Sequence, residues 1–361
     1  MKKVILHSIN LNEYRNFPLF SAEFSSEINI FVGPNGSGKT NILESVSLLC
    51  PGKGLKHSKY DEICKQGTNF WKSNFILESK LGATQIDNYY NGDSKNRLIH
   101  YNGSKIASTE LVNLLNIIWL TPQMEGLFLG PASNRRKFLD RLTYNFYPNH
   151  LKHLIQYDYY IQERNKCLSD RDWALKSSWL DIIEDKIVNE AISIHTSRQE
   201  CIKKIQSEIN DLQTSFPKAS LALSNLFEDL AITDHNLRNN YMDLLRNNRK
   251  KDSYSGRTSI GVHKADLLVE YQITDTAAKY CSTGEQKALL ISLMLASVNA
   301  IIASSEAKPI ILLDELFVHL DQTRRQELSD YIMSTKIQTF ITTTDMIGLK
   351  FLQGNANIIN L

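Results

Sequence analysis

GPNGSGKT, Gly33 to Thr40, decides the reading of this chain. It follows the apolar run Ile28 to Val32 and precedes the helix-compatible run Asn41 to Leu49. That is the strand-loop-helix context which the pattern G-x-x-x-x-G-K-[ST] requires. Backbone N–H groups close around phosphate oxygens only where no Cβ interferes, and Gly33, Gly36 and Gly38 permit that approach. Pro34, Asn35 and Ser37 belong to the same cofactor-binding loop. The dipole of the following helix adds positive potential at the same point. Lys39 is then the group that neutralises charge on the β- and γ-phosphates, and the Thr40 hydroxyl is a ligand for Mg2+. The expected cofactors are ATP and Mg2+.

Two further stretches fit beside this loop. Ile310-Ile-Leu-Leu-Asp314-Glu315 is an apolar run ending in two acids, as expected of a buried strand that presents carboxylates at its C-terminal edge. Asp314 is the second candidate metal ligand, directly or through water. Glu315 is the candidate catalytic carboxylate, placed to orient or activate an attacking water while Lys39 stabilises the phosphates. An apolar strand capped by acids is common on its own, and the glycine loop is what gives this one meaning. Ser282-Thr-Gly284-Glu-Gln-Lys287 leads into the apolar run Ala288 to Ala303. From its residues alone it is a helix N-terminus, with Ser282 and Gly284 able to donate hydrogen bonds to an anion.

The chain has 361 residues, with 41 basic and 39 acidic side chains and a formal charge of +2, so attraction to a polyanion must come from local clusters. Its 5 cysteines form no CxxC pair and its 9 histidines show no paired metal spacing, so metal is expected to arrive with nucleotide. MKKVILHSIN at the start reads as a first strand, with too short an apolar run for a secretory signal. The stretch Ala288 to Ala303 is interrupted by Ser292, Ser297 and Asn299 and reads as a buried helix, not a membrane span.

Strand and helix signals of α/β type lie at both ends of the chain, and neither end is complete alone. Between them Ile187, Ile194, Cys201, Ile205, Ile209, Leu212 and Phe216 recur at helical intervals, predicting a long helix that ends at Pro217. Arg246 to Lys251 (RNNRKK) with the turn-rich residues after it reads as an exposed loop. The expected fold is therefore an α/β ATPase head formed by residues 1–120 and 259–361, with a mainly helical domain of residues 121–258 inserted in it.

Together with the acid-ended strand, Ser282 to Lys287 resembles the signature motif of the ABC and SMC ATPases, which completes a nucleotide site across a dimer. On the same resemblance Leu316 to Asp321 is similar to their D-loop, with Asp321 at a subunit interface. Gln123 stands for the Q-loop glutamine at the metal. Thr342-Thr-Thr-Asp345 takes the switch position where many ABC proteins carry histidine. The stretch between Thr40 and Ser282 is long for a transporter subunit and short for an SMC coiled coil. Leu11-Asn-Glu-Tyr-Arg15-Asn16-Phe17, the glycine loop and Gly130-Pro-Ala-Ser-Asn-Arg135-Arg136-Lys-Phe138-Leu139-Asp140 instead resemble the RecF family of bacterial DNA-repair ATPases, over essentially the whole chain. Gly261-Val-His263-Lys264-Ala-Asp266-Leu267 is similar to that family's G-P-H-R-D-D-L, with Val262, Lys264 and Ala265 departing from it.

The resemblance implies an ATP-induced homodimer that clamps DNA without reading its sequence, at duplex and duplex/single-strand junctions. It implies work with RecO and RecR to place RecA in gap repair, replication restart and the SOS response, in the cytoplasm, with weak DNA-stimulated ATP hydrolysis as the switch. Candidate phosphate contacts are Lys53, Lys56, His57 and Lys59, then Arg135 to Lys137, then Arg246 to Lys251 with Arg257. Two other readings stay open: a transporter ATPase subunit, and a P-loop kinase acting on a small molecule as a monomer.

Overall fold

Five strands that no single stretch of the chain contains form a parallel sheet: β3 (Ile28–Val32), β8 (Ile117–Leu120), β12 (Ile310–Asp314), β13 (Thr339–Thr343) and β14 (Ala356–Asn360), in the order β14-β3-β13-β12-β8. The computed structural model describes residues 4–79, 82–93, 96–224, 236–305 and 308–361. β8, β12 and β13 are buried along their whole length, and such strands read in sequence as unbroken apolar runs. Because all the pairings are parallel, the C-terminal ends of β3, β8, β12 and β13 lie along one edge. The α/β head drawn from both ends of the sequence is thus the observed architecture.

An antiparallel sheet accompanies it, in the order β2-β1-β4-β5-β6-β7, built from β1 (Ile5–Tyr14), β2 (Phe17–Glu23), β4 (Trp71–Ser79), β5 (Gly82–Tyr90), β6 (Leu98–Tyr101) and β7 (Ser104–Ile106). The first strand is much longer than the short run at its start suggests, because polar residues alternate with Leu6, Ile9 and Leu11 on its core face. These residues join Phe31, Phe340 and α1 (Lys39–Ser47) in one core, where Phe24 packs edge-on against both Phe31 and Phe340. β1 and β2 are joined by Arg15 and Asn16 alone, and Arg15 takes the left-handed φ of 56° that so tight a hairpin favours.

The chain divides into two compact units, one of residues 1–125, 212–216 and 290–361, the other of residues 126–211 and 217–289. The sequence reading drew its borders instead at 120/121 and 258/259. The second unit is mainly helical, with α2 (Ala132–Phe146), α3 (Asn149–Leu168), α4 (Ser177–Asp211) and α5 (Leu237–Ser255). It also carries a small antiparallel sheet of β9 (Ala219–Ser224), β10 (Asp266–Tyr271) and β11 (Thr276–Ala277). The division falls inside α6 (Thr283–Ser305), which is apolar enough to cross a membrane by composition and is mostly buried.

Two sequence expectations are corrected. α4 stops at Asp211, not at Pro217, because the chain leaves the helix where the Ser215 N–H and hydroxyl donate to Glu327. RNNRKK is helical, not a loop: Arg246 and Arg249 lie on α5 and pair with Asp181 of α4, Arg249 also with Glu184, and Gly256 ends the helix with a φ of 67°.

The helices of the second unit close on a fully buried guanidinium. Arg164 donates to Glu184 at 2.9 Å, to Asp252 at 2.7 Å, to the Thr258 hydroxyl at 2.9 Å and to the Leu245 carbonyl at 2.8 Å. Removing one member of a buried ion cluster strands the others without water. Arg164→Leu is expected to destabilise this unit by about 3–5 kcal/mol, read as a lower urea midpoint for the helical signal.

Candidate functional site

The loop of residues 33–38 leaves β3 and turns into α1 through two glycines that no other residue replaces without strain. Gly36 has a φ of 86° and Gly38 a φ of 106°. A Cβ at Gly38 would also lie 2.5 Å from the tip of the Phe17 ring and 2.7 Å from the Asn16 amide. The hairpin tip between β1 and β2 presses on the loop here. Asn16 Nδ2 donates to the Ser37 carbonyl at 3.0 Å, and Asn16 Oδ1 accepts from Asn41 Nδ2 at 2.7 Å. Arg15 grips α1 from the same tip, donating to Glu44 Oε2 at 2.8 Å and to the Glu62 carbonyl at 2.6 Å. Burial alone would lower the Arg15 guanidinium, but its Glu44 partner outweighs that and holds it above its ordinary range.

Lys39, Thr40, Asp314 and Glu315 converge. The buried Lys39 ammonium donates to the Gly33 carbonyl at 2.7 Å and the Pro34 carbonyl at 2.9 Å, with Glu315 Oε1 at 3.9 Å. Thr40 Oγ1 donates its one proton to Asp314 Oδ1 at 2.9 Å, which leaves both hydroxyl lone pairs for a cation. Adjacent oxygens around an octahedral Mg2+ are roughly 3 Å apart when each lies about 2.1 Å from the ion. The donor pair therefore fits that metal. Glu315 begins the turn after β12 with left-handed backbone angles, φ 49° and ψ 24°, and keeps its side chain 35% exposed.

Asn35 and Ser37 lie in the loop, where a Cβ on Gly33 would meet both Ser37 Oγ and the Leu361 carbonyl at 2.8 Å. Gln123 is exposed on the short helical turn Pro122–Leu127, just past the end of β8 and so on the same sheet edge as Asp314. Asp321 caps α7 (Gln322–Thr335), accepting from the Arg324 N–H. In the switch-position segment Thr342 faces Asp314, while Asp345 accepts from the Ile347 N–H in a tight turn. An open cavity of about 530 Å³ lies beside the start of α1, lined by Arg15, Asn16, Asn41, Cys64, Lys65 and Gln66. Nothing in the sequence around Arg15 and Asn16 marks either for a role at the loop.

In the second unit, Ser282 and Gly284 are exposed at the start of α6. The Ser282 N–H and hydroxyl both donate to Glu285 at 2.8 Å, closing a capping box over the helix N-terminus.

The candidate phosphate contacts separate into two kinds. Arg135 is spent on Asp266, at 2.8 and 2.7 Å, and on the carbonyls of Leu127, Phe128 and Gly130. Arg136 donates to the Ala265 carbonyl, and Arg246 and Arg249 hold α5 to α4. These arginines are engaged within the chain, although Arg246 is itself exposed. Lys53, Lys59, Lys137, Lys250, Lys251 and Arg257 are exposed, as are His57 and Lys56, whose ammonium donates to Asn41 Oδ1 at 2.6 Å.

A family model described as the RecF/RecN/SMC N-terminal domain matches residues 5–355. The DNA replication and repair protein RecF of Rickettsia prowazekii (strain Madrid E) is 43% identical over 364 residues, covering 100% of both chains. A solved structure of the recombination mediator protein RecF-ATPrS in the RecFOR pathway superposes with a TM-score of 0.86 at 21% identity, covering 99% of this chain and 96% of that one. The corresponding RecF-ATP structure gives 0.84 at 23% identity, covering 95% and 92%. Both structural likenesses carry the fold.

The crowding around the two glycines differs, and this yields a graded expectation. Gly36 has open space around it, so Gly36→Ala should cost only the backbone penalty of about 1–2 kcal/mol. Gly38→Ala must also push Asn16 and Phe17 off the loop, so its melting temperature should fall clearly below that of Gly36→Ala. Equal melting temperatures would show that the hairpin tip does not brace the loop.

Proposed function

Because this chain belongs to the RecF family of DNA replication and repair proteins, we propose that it binds ATP with Mg2+ at residues 33–40 and uses the nucleotide as a switch for holding DNA. The observation that carries the reading is the meeting of Lys39, Thr40, Asp314 and Glu315 at the end of one parallel sheet, with a metal-compatible spacing between Thr40 and Asp314. RecF relatives solved with ATP or ATPrS share the fold.

In this proposal the glycine loop and the N-terminus of α1 surround the triphosphate, and Lys39 neutralises its β- and γ-oxygens. The cavity lined by Arg15, Asn41 and Lys65 adjoins the loop and has room for the nucleoside. Thr40 and Asp314 hold Mg2+, with Gln123 completing its surroundings, and the ion supplies charge neutralisation on the phosphates. Glu315, half-open to solvent, orients the attacking water and takes up its proton. Ser282 and Gly284 are exposed at a helix N-terminus, which suits them to meet the γ-phosphate held by a second copy. Nucleotide is then the link between two heads, and hydrolysis releases them.

The exposed lysines named above would contact DNA phosphates without reading bases, giving salt-dependent binding at duplexes and duplex/single-strand junctions. Family membership supports RecR and RecO as partners, RecA loading downstream, and a cytoplasmic place beside the chromosome. A monomeric small-molecule kinase would have no use for the exposed Ser282 segment, and a transporter subunit would need a membrane partner.

The test is sedimentation with duplex, gapped and single-stranded DNA, with and without Mg2+ and ATP, at two salt concentrations. An ATP-dependent dimer that retains duplex-containing DNA and releases it in salt is expected. Lys39→Ala should abolish the ATP-induced dimer, and persistence of that dimer would refute nucleotide as the link. Glu315→Gln should keep ATP binding and slow hydrolysis by about 10²–10⁴-fold; undiminished turnover would remove Glu315 from its role.

A further inference from the structure

Asp314 and Thr342 are direct partners in the parallel register of β12 and β13, and both are almost fully buried. The Thr342 hydroxyl donates to Asp314 Oδ1 at 2.7 Å. It also accepts from the Glu315 N–H at 3.0 Å, a donor shared with the Thr342 carbonyl at 3.2 Å. One hydroxyl therefore touches both acids of the site, the first through its side chain and the second through its backbone.

Both contacts bear on geometry. Asp314 Oδ1 accepts from two hydroxyls, Thr40 and Thr342, which fixes the plane of the carboxylate. Glu315 has left-handed backbone angles that a side chain with a Cβ adopts at a cost of roughly 1–2 kcal/mol. Such a conformation persists only where its surroundings impose it. The bond from Glu315 N to Thr342 Oγ1 is a restraint on that turn, and the turn is what brings the Glu315 carboxylate to within 3.9 Å of Lys39.

We propose that Thr342 is a positioning residue for hydrolysis: its hydroxyl sets the turn that aims Glu315 at the water site and orients Asp314, without touching nucleotide itself. This rests on the ATP site proposed above. A chain lacking the hydroxyl would still bind ATP through the glycine loop and Lys39, and would fail in the chemical step. Valine has nearly the shape of threonine and keeps its β-branched strand preference, so Thr342→Val removes the hydroxyl with little change of volume. Serine restores it.

The experiment measures equilibrium binding of a fluorescent ATP analogue and single-turnover ATP hydrolysis, with melting temperatures as a control for folding. Thr342→Val is expected to bind within about threefold of the unaltered chain and to hydrolyse on the order of 10²-fold more slowly, the scale of a misplaced reacting group. Thr342→Ser should return to within a few-fold of the unaltered rate. Thr342→Val combined with Glu315→Gln should lose clearly less than the product of the two single losses, since the threonine acts in large part through the glutamate. Unchanged hydrolysis in Thr342→Val, a serine variant as slow as valine, or additive losses in the double variant would each overturn the proposal. If the unaltered chain neither binds nor hydrolyses ATP, the site reading itself fails, which is a separate result.

Discussion

A hydrogen bond of 2.9 Å ties Thr40 to Asp314, 274 positions apart in the chain, and the head is arranged around the pairing that makes it possible. Thr40 is at the start of the helix after β3, and Asp314 is the last residue of β12. Neither strand pairs with the other. β13 lies between them and fixes both in register, Thr342 beside Phe31 on one side and beside Asp314 on the other. Parallel order puts every strand end on one edge, so a loop, an acid pair and a hydroxyl from distant segments meet without any long excursion of chain. The hairpin tip at Arg15 and Asn16 then braces the loop from the antiparallel sheet, through a buried Glu44 that leaves Arg15 little freedom.

What could be read in the sequence was what depends on local rules. A glycine loop needs its glycines at fixed places, and a buried parallel strand is a continuous apolar run, so residues 33–40 and 310–315 were both legible and the head could be assembled from them. In sequence RNNRKK has the look of a loop because the acids that pair with its two arginines, Asp181 and Glu184, are more than sixty positions away, and a basic run on its own has no face to bury. The paired arginines at 135 and 136 are ambiguous in sequence for the same reason, since their partners, Asp266 and the Ala265 carbonyl, are about 130 positions away. The end of α4 is hidden in the sequence because Leu212 and Phe216 continue its apolar spacing and are indeed buried, but as part of the other unit. Periodicity reports burial and not continuity of helix. Sequence shows Thr342 only as part of a switch-like string, since nothing local says that its hydroxyl meets the carboxylate that ends the neighbouring strand and the backbone N–H that follows it.

The stretch at residues 261–267 is held in two ways, through its backbone and through its side chains. Arg198 donates to the carbonyl of Val262 at 2.8 Å, and Arg136 to the carbonyl of Ala265 at 2.7 Å. Both arginines read backbone, so the side chains at 262 and 265 can change without costing those bonds. Asp266, His263 and Gly261 are held through side chains or through space. Asp266 takes the bidentate fork of Arg135, and His263 lies between the Tyr157 hydroxyl at 2.7 Å and the Thr258 carbonyl at 3.0 Å. Gly261 has a φ of 136°, and a Cβ there would sit 2.3 Å from the Tyr157 oxygen and 2.5 Å from that of Tyr241. Val262 and Ala265 are thus held through their carbonyls, whatever side chains stand there.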